Sequence, residues 1–239
     1  WLSQTTLSVD DTADIVGALR ARFPLGESVA IEPRFNVAPT DEVLAVTTDR
    51  EGAPRGELLR WGLVPHWAKD PSIGARMINA RAESVAGKPA FRDAFARRRC
   101  LIVADGFYEW QAREGARKQP WWITRADHAS FAFAGLWSVW HGGEGPDHPA
   151  LRTCTIVTTT ASASVAPMHD RMPVILPPDA EETWLDHGTP PAVLQDLLAP
   201  FPDAQTDARP VGFAVNDARH DAPDCLDPPP ADDGEPSLF

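Results

Sequence analysis

The feature that most constrains the fold is a succession of short β-type segments in the middle of the chain. Turn signals separate these segments, which are rich in β-branched and aromatic residues. Two earlier apolar stretches, Val43–Thr47 and Leu58–Leu63, are bounded by Pro, Gly or Asp and also predict strands. Strands outnumber helices without the regular alternation of βαβ units, so we predict a single α+β domain with a curved, barrel-like, mostly antiparallel β-sheet core flanked by helices. The central strands are predicted at Cys100–Ala104, Phe107–Trp110, Trp121–Thr124, Phe131–Trp137 and Thr153–Thr159.

Helical periodicity is confined to a few short segments. A first helix is predicted after Asp10 or Asp11, with Pro24 ending it. The folded domain is expected to occupy residues 1–220. Residues 221–239 are rich in Pro and Asp and poor in apolar side chains, which predicts a disordered tail. The remaining helices are predicted at Pro89–Ala96, Asp179–Asp186 and Ala192–Leu198.

Charge is distributed unevenly along the chain. The net charge of −12 argues at first against a nucleic-acid partner. Residues 1–125, however, hold 18 Lys or Arg and 16 Asp or Glu, whereas residues 126–239 hold 4 and 18. Cationic groups are therefore concentrated in the first half, where a local basic groove can exist beside an acidic surface.

The cysteines and the lengths of the apolar runs indicate the cellular compartment in which the protein functions. Cys100, Cys154 and Cys225 are odd in number and lack metal-ligand spacing, which indicates reduced thiols with neither a disulfide framework nor a metal site. Phe131–Val139 is too short to span a bilayer, and no signal peptide opens the chain. We expect a cytoplasmic monomer with no cofactor and no membrane partner.

Two segments carry side chains suited to proton transfer. Glu109 lies between aromatic residues in a strand-like segment, where apolar rings tend to raise the pKa of a carboxyl group. The alternative is a glutamate on the solvated face of the strand. His169 stands with Asp170 and Arg171 between prolines, and its imidazole can donate or accept a proton near neutral pH. Glu109 and His169 are therefore candidate acid–base residues.

Other segments suit contact with nucleic acid. Trp67, in a turn, can stack on a base, whereas Trp61 is more typical of a core. Asn79 offers a donor and an acceptor, and the planar guanidinium of Arg81 matches phosphate geometry, although a salt-bridged structural role is the alternative. Residues 34–40, placed between a helix and a strand, suit anion contact and a rigid turn.

In their order along the chain, these motifs resemble the SOS response-associated peptidase family. Members of that family include bacterial abasic-site shields and a eukaryotic abasic-site sensor. The resemblance extends from Trp1 to about Asn216. The motifs that carry it are Asn36-Val37-Ala38-Pro39, Trp61-Gly62, Asn79-Ala80-Arg81, Asp105-Gly106-Phe107-Tyr108-Glu109-Trp110 and His169-Asp170-Arg171-Met172-Pro173.

The resemblance implies covalent capture of abasic sites in single-stranded DNA. Family members open with Met-Cys-Gly-Arg and an aromatic residue; after the methionine is removed, by self-cleavage in some accounts, the cysteine amine forms an imine with the abasic aldehyde. Its thiolate then closes a thiazolidine ring. Trp1 matches the aromatic residue, so the cysteine is absent from this sequence. We expect either that it precedes Trp1 in the native chain or that the protein is a degenerate member that binds damaged DNA without crosslinking.

Site roles follow from the same resemblance. Asn79 would position the N-terminal nucleophile, and Glu109 would shuttle protons during imine formation and methionine removal. His169 would assist opening of the sugar ring. DNA contacts are expected from Arg34, Asn36, Pro39, Trp67, Arg81, Trp110, Thr158 and Arg171.

Two other functions remain open from the residues. The first is a peptidase that acts on other proteins, although the sequence shows neither a Ser-His-Asp arrangement nor a His-Glu-x-x-His motif. The second is a non-enzymatic single-strand binder that uses stacking and arginine contacts, with an affinity that falls as salt rises.

Overall fold

The secondary structure is dominated by short strands. A computed structural model describes residues 5–7, 22, 32–142 and 150–230. Apart from Arg22, which is helical, the helix predicted after Asp10 or Asp11 lies outside the described residues. The strands are β1 (Thr5–Leu7), β2 (Arg34–Val37), β3 (Glu42–Thr48), β4 (Pro54–Trp61), β5 (Asn79–Arg81), β6 (Arg99–Ala104), β7 (Gly106–Arg113), β8 (Ala116–Arg125), β9 (Phe131–Trp140), β10 (Leu151–Thr160), β11 (Arg171–Pro173), β12 (Ile175–Leu176) and β13 (Thr206–Pro210), and the helices are α1 (Arg92–Arg97), α2 (Glu181–Leu185) and α3 (Pro191–Asp196).

Five strands close into a barrel. β3 pairs antiparallel with β4 and β6, and β6 pairs antiparallel with β9. β10 closes the ring because it pairs antiparallel with β9 and parallel with β4. The predicted α+β fold around a barrel-like sheet is confirmed, with one parallel pairing in the ring. A second sheet has the strand order β13-β8-β7-β1-β2.

The barrel core and the helix-covered face lie on opposite sides of the same strands. In β6, Cys100 and Ile102 belong to the cluster that also holds Phe133, whereas the alternate residue Leu101 packs in a cluster with Trp184 of α2. Every residue of β6 is buried, as expected for a strand with an apolar environment on both faces. No helix among residues 32–142 and 150–230 is long and apolar enough to cross a membrane.

The C-terminal segment, residues 215–225, packs against β2. The sequence predicts a loop where β2 lies. Asp221 accepts hydrogen bonds from the backbone N–H groups of Phe35 and Asn36, and Cys225 is buried. This corrects the tail predicted from residue 221. Its Asp-rich composition predicted disorder, but here an aspartate satisfies the unpaired edge of a strand. Residues 231–239 lie outside the described residues.

Candidate functional site

Three motifs converge where β5 and β11 flank the end of β10. Thr158 of β10 pairs with Arg81 of β5 and with Pro173 of β11. This pairing brings the Asn79-Ala80-Arg81 motif beside the loop that carries His169. Residues far apart in the sequence therefore meet at one edge of the barrel.

Glu109 is a buried carboxyl group on β7, opposite Trp121 of β8. It is 6% exposed. Burial raises the pKa of Glu109 to about 8, and the negative charge of Asp170 acts in the same direction. The interaction with Asp170 places Glu109 near the His169 loop. At neutral pH this side chain holds a proton that it can donate.

His169 has several contacts to Nδ1 within its own loop. The backbone N–H of Arg171 donates to Nδ1 at 2.9 Å, and a carboxylate oxygen of Asp170 lies 3.0 Å from the same nitrogen. The Arg171 carbonyl lies 3.3 Å from it. Burial lowers the pKa of His169, and the charge of Asp170 opposes that shift. Nδ1 therefore faces one donor and two acceptors, and the balance of these contacts sets the tautomer.

Asn79 has an unusual hydrogen-bonding state. Its backbone pairs with Ile156 of β10, but both polar atoms of its amide are buried without a hydrogen-bond partner among the described residues. An unsatisfied buried amide costs about 1–3 kcal/mol for each group left without a partner. The amide is therefore suited to receive a ligand that offers both a donor and an acceptor.

Arg171 is already engaged in this structure. Its two terminal nitrogens donate to the two carboxylate oxygens of Glu83, each at 3.0 Å, and one also donates to the Thr158 carbonyl at 2.6 Å. The contact lowers the pKa of Glu83, and the positive charge of the exposed Arg81 adds to the effect. Sequence interpretation missed Glu83, although it follows the Asn79-Ala80-Arg81 motif by two residues.

The side chains of Arg34 and Asn36, both on β2, form ion pairs and hydrogen bonds with other parts of the protein. Arg34 forms ion pairs with Asp221 and Asp41. Asn36 has no exposed surface. Its Nδ2 donates to three backbone carbonyls of the C-terminal segment, at 2.8–3.2 Å. Both residues anchor that segment to β2.

The predicted aromatic contacts differ in exposure. Trp67 is 51% exposed, whereas Trp61 is fully buried in the barrel core. Trp110 is partly buried, and its indole N–H donates to Asn216 at 2.6 Å. Pro39 is partly exposed and precedes Thr40, a non-glycine residue with a φ of 81°.

The thiols, and the group of metal-type ligands found among the described residues, have other roles or partners. Burial raises the pKa of Cys100 and of Cys154, so neither thiol is a ready nucleophile. His220, Asp224 and Cys225 place one ligand atom each within 4.8 Å of one another. The histidine contacts the aspartate at 2.6 Å, and the thiol donates to the His220 carbonyl at 3.6 Å. These contacts already account for all three ligand atoms.

Comparison with known proteins places this geometry in a family. The model of the SOS response associated peptidase (SRAP) family matches residues 5–218. The abasic site processing protein YoaM of Bacillus subtilis is 44% identical over 206 residues, which cover 86% of this chain and 88% of YoaM. The abasic site processing protein HMCES of Xenopus tropicalis is 29% identical over 231 residues, covering 84% of this chain and 68% of HMCES.

Solved structures agree on the fold. A protein from Bacteroides thetaiotaomicron superposes with a TM-score of 0.73, covering 95% of this chain and 98% of its own. A phage-related protein from Bordetella bronchiseptica superposes with a TM-score of 0.66 at 28% identity, covering 87% of this chain and 93% of its own. The first is 24% identical, so that likeness concerns the fold alone.

Proposed function

The chain belongs to the SOS response associated peptidase family, and on that premise we propose that it processes abasic sites in single-stranded DNA by capturing them covalently. The nucleophile would be an N-terminal cysteine, which family members carry ahead of the residue that matches Trp1. The product would be a thiazolidine crosslink that shields the lesion. The protein would act as a monomer on DNA at the bacterial nucleoid.

The observation that carries the proposal is the pairing of the first strand with the strand of Glu109. β1 pairs antiparallel with β7, and Thr5 lies opposite Phe107, two residues from Glu109. The beginning of the chain is thus hydrogen-bonded to the strand that holds a buried acid with a pKa of about 8. This arrangement suits a reaction in which the N-terminal residue attacks and a nearby acid supplies the proton.

The chemistry follows from the protonation states. The cysteine amine would add to the abasic aldehyde, and protonated Glu109 would give its proton to the departing hydroxyl, which leaves as water. The thiolate would then add to the imine carbon as the nitrogen takes up a proton, which closes the ring. No oxidation or reduction is involved.

The neighbouring side chains would divide the remaining tasks. A ring N–H of His169 would donate its proton to the sugar oxygen as the sugar ring opens. The amide of Asn79, which has no partner among the described residues, would hold the α-amine. Arg81 is exposed and would hold a phosphate beside Thr158, while Trp67 would support a base.

Removal of an initiator methionine would use the same acid. Glu109 would act as the acid–base group in hydrolysis of the peptide bond before the cysteine, which limits peptidase activity to the protein's own N-terminus. A casein digestion assay separates this from a general peptidase, since the proposal predicts no cleavage of casein.

The test uses a protein with Met-Cys-Gly-Arg placed ahead of Trp1 and a single-stranded oligonucleotide with one abasic site. We expect a heat-stable adduct on a denaturing gel, and none when alanine replaces that cysteine. Glu109→Gln should slow adduct formation about 100-fold or more, the usual contribution of a positioned acid or base. The absence of an adduct, or equal binding of an undamaged oligonucleotide, would instead favour a non-covalent single-strand binder.

A further inference from the structure

We propose that a groove separate from the Glu109–His169 edge binds a nucleic-acid strand. The groove, here called the Trp–Arg groove, is lined chiefly by Trp67, Arg97, Arg98 and Trp137 and has a volume of about 410 Å³. The proposal rests on the proposed function, because the occupant would be the undamaged part of the DNA strand that carries the lesion.

One exposed tryptophan in the groove supplies a surface for base stacking. Trp67 is half exposed on a turn, and the indole N–H of Trp140 fixes that turn by donating to the Ala68 carbonyl at 2.7 Å. The ring of Trp137 already carries the guanidinium groups of Arg98 and Arg152, 5.5 Å and 4.5 Å from its centroid. Aromatic rings beside guanidinium groups are the usual platform for the bases of a single strand.

Trp137 also has an indole N–H that lacks an acceptor. Its Nε1 atom is buried without a hydrogen-bond partner in the part of the chain that the structure describes. A buried N–H of this kind is rare in folded proteins, and an oxygen from a base or a phosphate would satisfy it. Other tryptophans donate this group to protein oxygens: Trp61, Trp110, Trp121, Trp140 and Trp184.

The charge around the groove is positive although the whole protein is acidic. The lining of the groove holds two arginines, Arg97 and Arg98, and one acidic residue, Asp93. Arg97 is exposed and forms no salt bridge among the described residues. The acid in the groove, Asp93, lies 3.5 Å from Arg92. Two guanidinium groups therefore face the groove with little local neutralisation.

Arg99 shows what a structural arginine looks like in the same segment. It is 1% exposed. Its three nitrogens donate to four backbone carbonyls at 2.6–2.8 Å. Neither Arg97 nor Arg98 is bound in this way. An acidic peptide would satisfy their charge but would leave the exposed ring of Trp67 unused, so a nucleic-acid strand is the better match.

The test measures equilibrium binding of an undamaged, fluorescent single strand of about 16 nucleotides to the full chain. Replacing Arg97→Ala and Arg98→Gln together should weaken binding about tenfold. The slope of log K against log salt should become shallower by about 1.4, because each lost phosphate contact accounts for about 0.7. Arg92→Ala is the matched control, since it removes an exposed arginine on the same helix that does not line the groove. Unchanged affinity and slope in the double variant would overturn the proposal.

A second variant guards against a loss of folding. Trp137→Phe keeps a ring and removes the unsatisfied N–H, so it should raise the thermal midpoint of the free protein and yet weaken binding of the strand. A purely structural Trp137 would not give both effects. Polyglutamate that competes as well as DNA would contradict the assignment of a nucleic acid. Adduct formation by the extended chain tests the proposed function separately, because equilibrium binding of undamaged DNA does not depend on that chemistry.

Discussion

Glu109 is a buried carboxyl group whose pKa lies far above that of an exposed glutamate. Its pKa of about 8 means that the folded protein keeps a proton that the unfolded chain loses above its ordinary value of 4.5. Between these pH values the folded state binds more protons than the unfolded state. The free energy of unfolding therefore falls as pH rises, by up to about 1.4 kcal/mol for each pH unit.

Glu109→Gln should remove this dependence. The variant keeps the shape of the side chain and cannot ionise, so we expect it to be more stable than the parent above pH 5, with a difference that grows up to pH 8. Urea unfolding at pH 5, 6, 7 and 8 measures this. A difference in free energy of unfolding that stays constant across the four pH values would contradict the account, because it would mean that Glu109 is ionised at neutral pH. A more stable variant that is also slower to form the adduct would show that this acid is retained for its chemistry.

At the scale of secondary-structure elements, the ion pair between Arg171 and Glu83 fastens β11 to the segment after β5. Glu83 is half exposed, so the pair contributes no more than about 1 kcal/mol to stability. It also neutralises an arginine that we propose as a phosphate contact. Stability and DNA binding should therefore respond to Glu83 in opposite directions.

Glu83→Gln should tighten binding of single-stranded DNA by about threefold to tenfold, because Arg171 no longer has to leave a carboxylate to reach a phosphate. Fluorescence anisotropy at low salt measures the change. Glu51→Gln, in the turn between β3 and β4, removes one exposed acidic group from another part of the molecule and controls for net charge. If both variants bind alike, Arg171 is a structural residue alone.

Close contact between β7 and β8 depends on Gly106. A Cβ atom at this position would lie 2.2 Å from Nε1 of Trp122, which is packed under the Arg209 guanidinium. Gly106→Ala should therefore destabilise the protein by about 1–3 kcal/mol, the usual cost of overpacking. Thermal unfolding checks the prediction. Gly87→Ala is the control, because its Cβ would meet only a carbonyl oxygen at 3.9 Å; equal thermal midpoints for the two variants would contradict the packing argument.

The long strands could be predicted because their side chains identify them locally. Apart from Arg99 and Ser138, β6 and β9 contain only apolar residues, and the sequence predicts both strands to within three residues at each end. The short strands β5 and β11 could not, because their three residues have no periodicity of their own and are strands only through pairing with β10. Strand β2 could not be predicted for a similar reason. One of its edges is hydrogen-bonded by Asp221, nearly two hundred residues later in the chain.

Of the candidate site, the burial of Glu109 could be predicted from the sequence, but the ion pair of Glu83 could not. Glu109 stood out because aromatic neighbours predict burial, and the structure shows a buried carboxyl with a raised pKa. The ion pair of Glu83 with Arg171 could not be read from the sequence, because it joins residues 88 positions apart. The two residues come together because β5 and β11 both pair with β10 at Thr158.

For the molecule as a whole, the account combines an acidic protein with a nucleic-acid partner. A net charge of −12 repels DNA at long range, whereas the basic groups are gathered in the first half of the chain. Binding should therefore depend on a few local contacts and be sensitive to salt.

We expect the affinity for undamaged single-stranded DNA to fall about fiftyfold between 50 and 200 mM salt, as the four proposed arginine–phosphate contacts would give at a slope of about 0.7 each. Titrations at four salt concentrations measure the slope. A flat response would exclude phosphate contacts and leave stacking as the only source of affinity.

The central claim is that an N-terminal cysteine ahead of Trp1 captures an abasic site beside Glu109. The most direct test is the intact mass of the Met-Cys-Gly-Arg-extended protein after incubation with an abasic single strand. The account predicts a species equal to the protein without its initiator methionine plus the oligonucleotide minus one water, formed without a reducing agent. Unmodified protein alone, or an adduct that appears only after borohydride reduction, would contradict it.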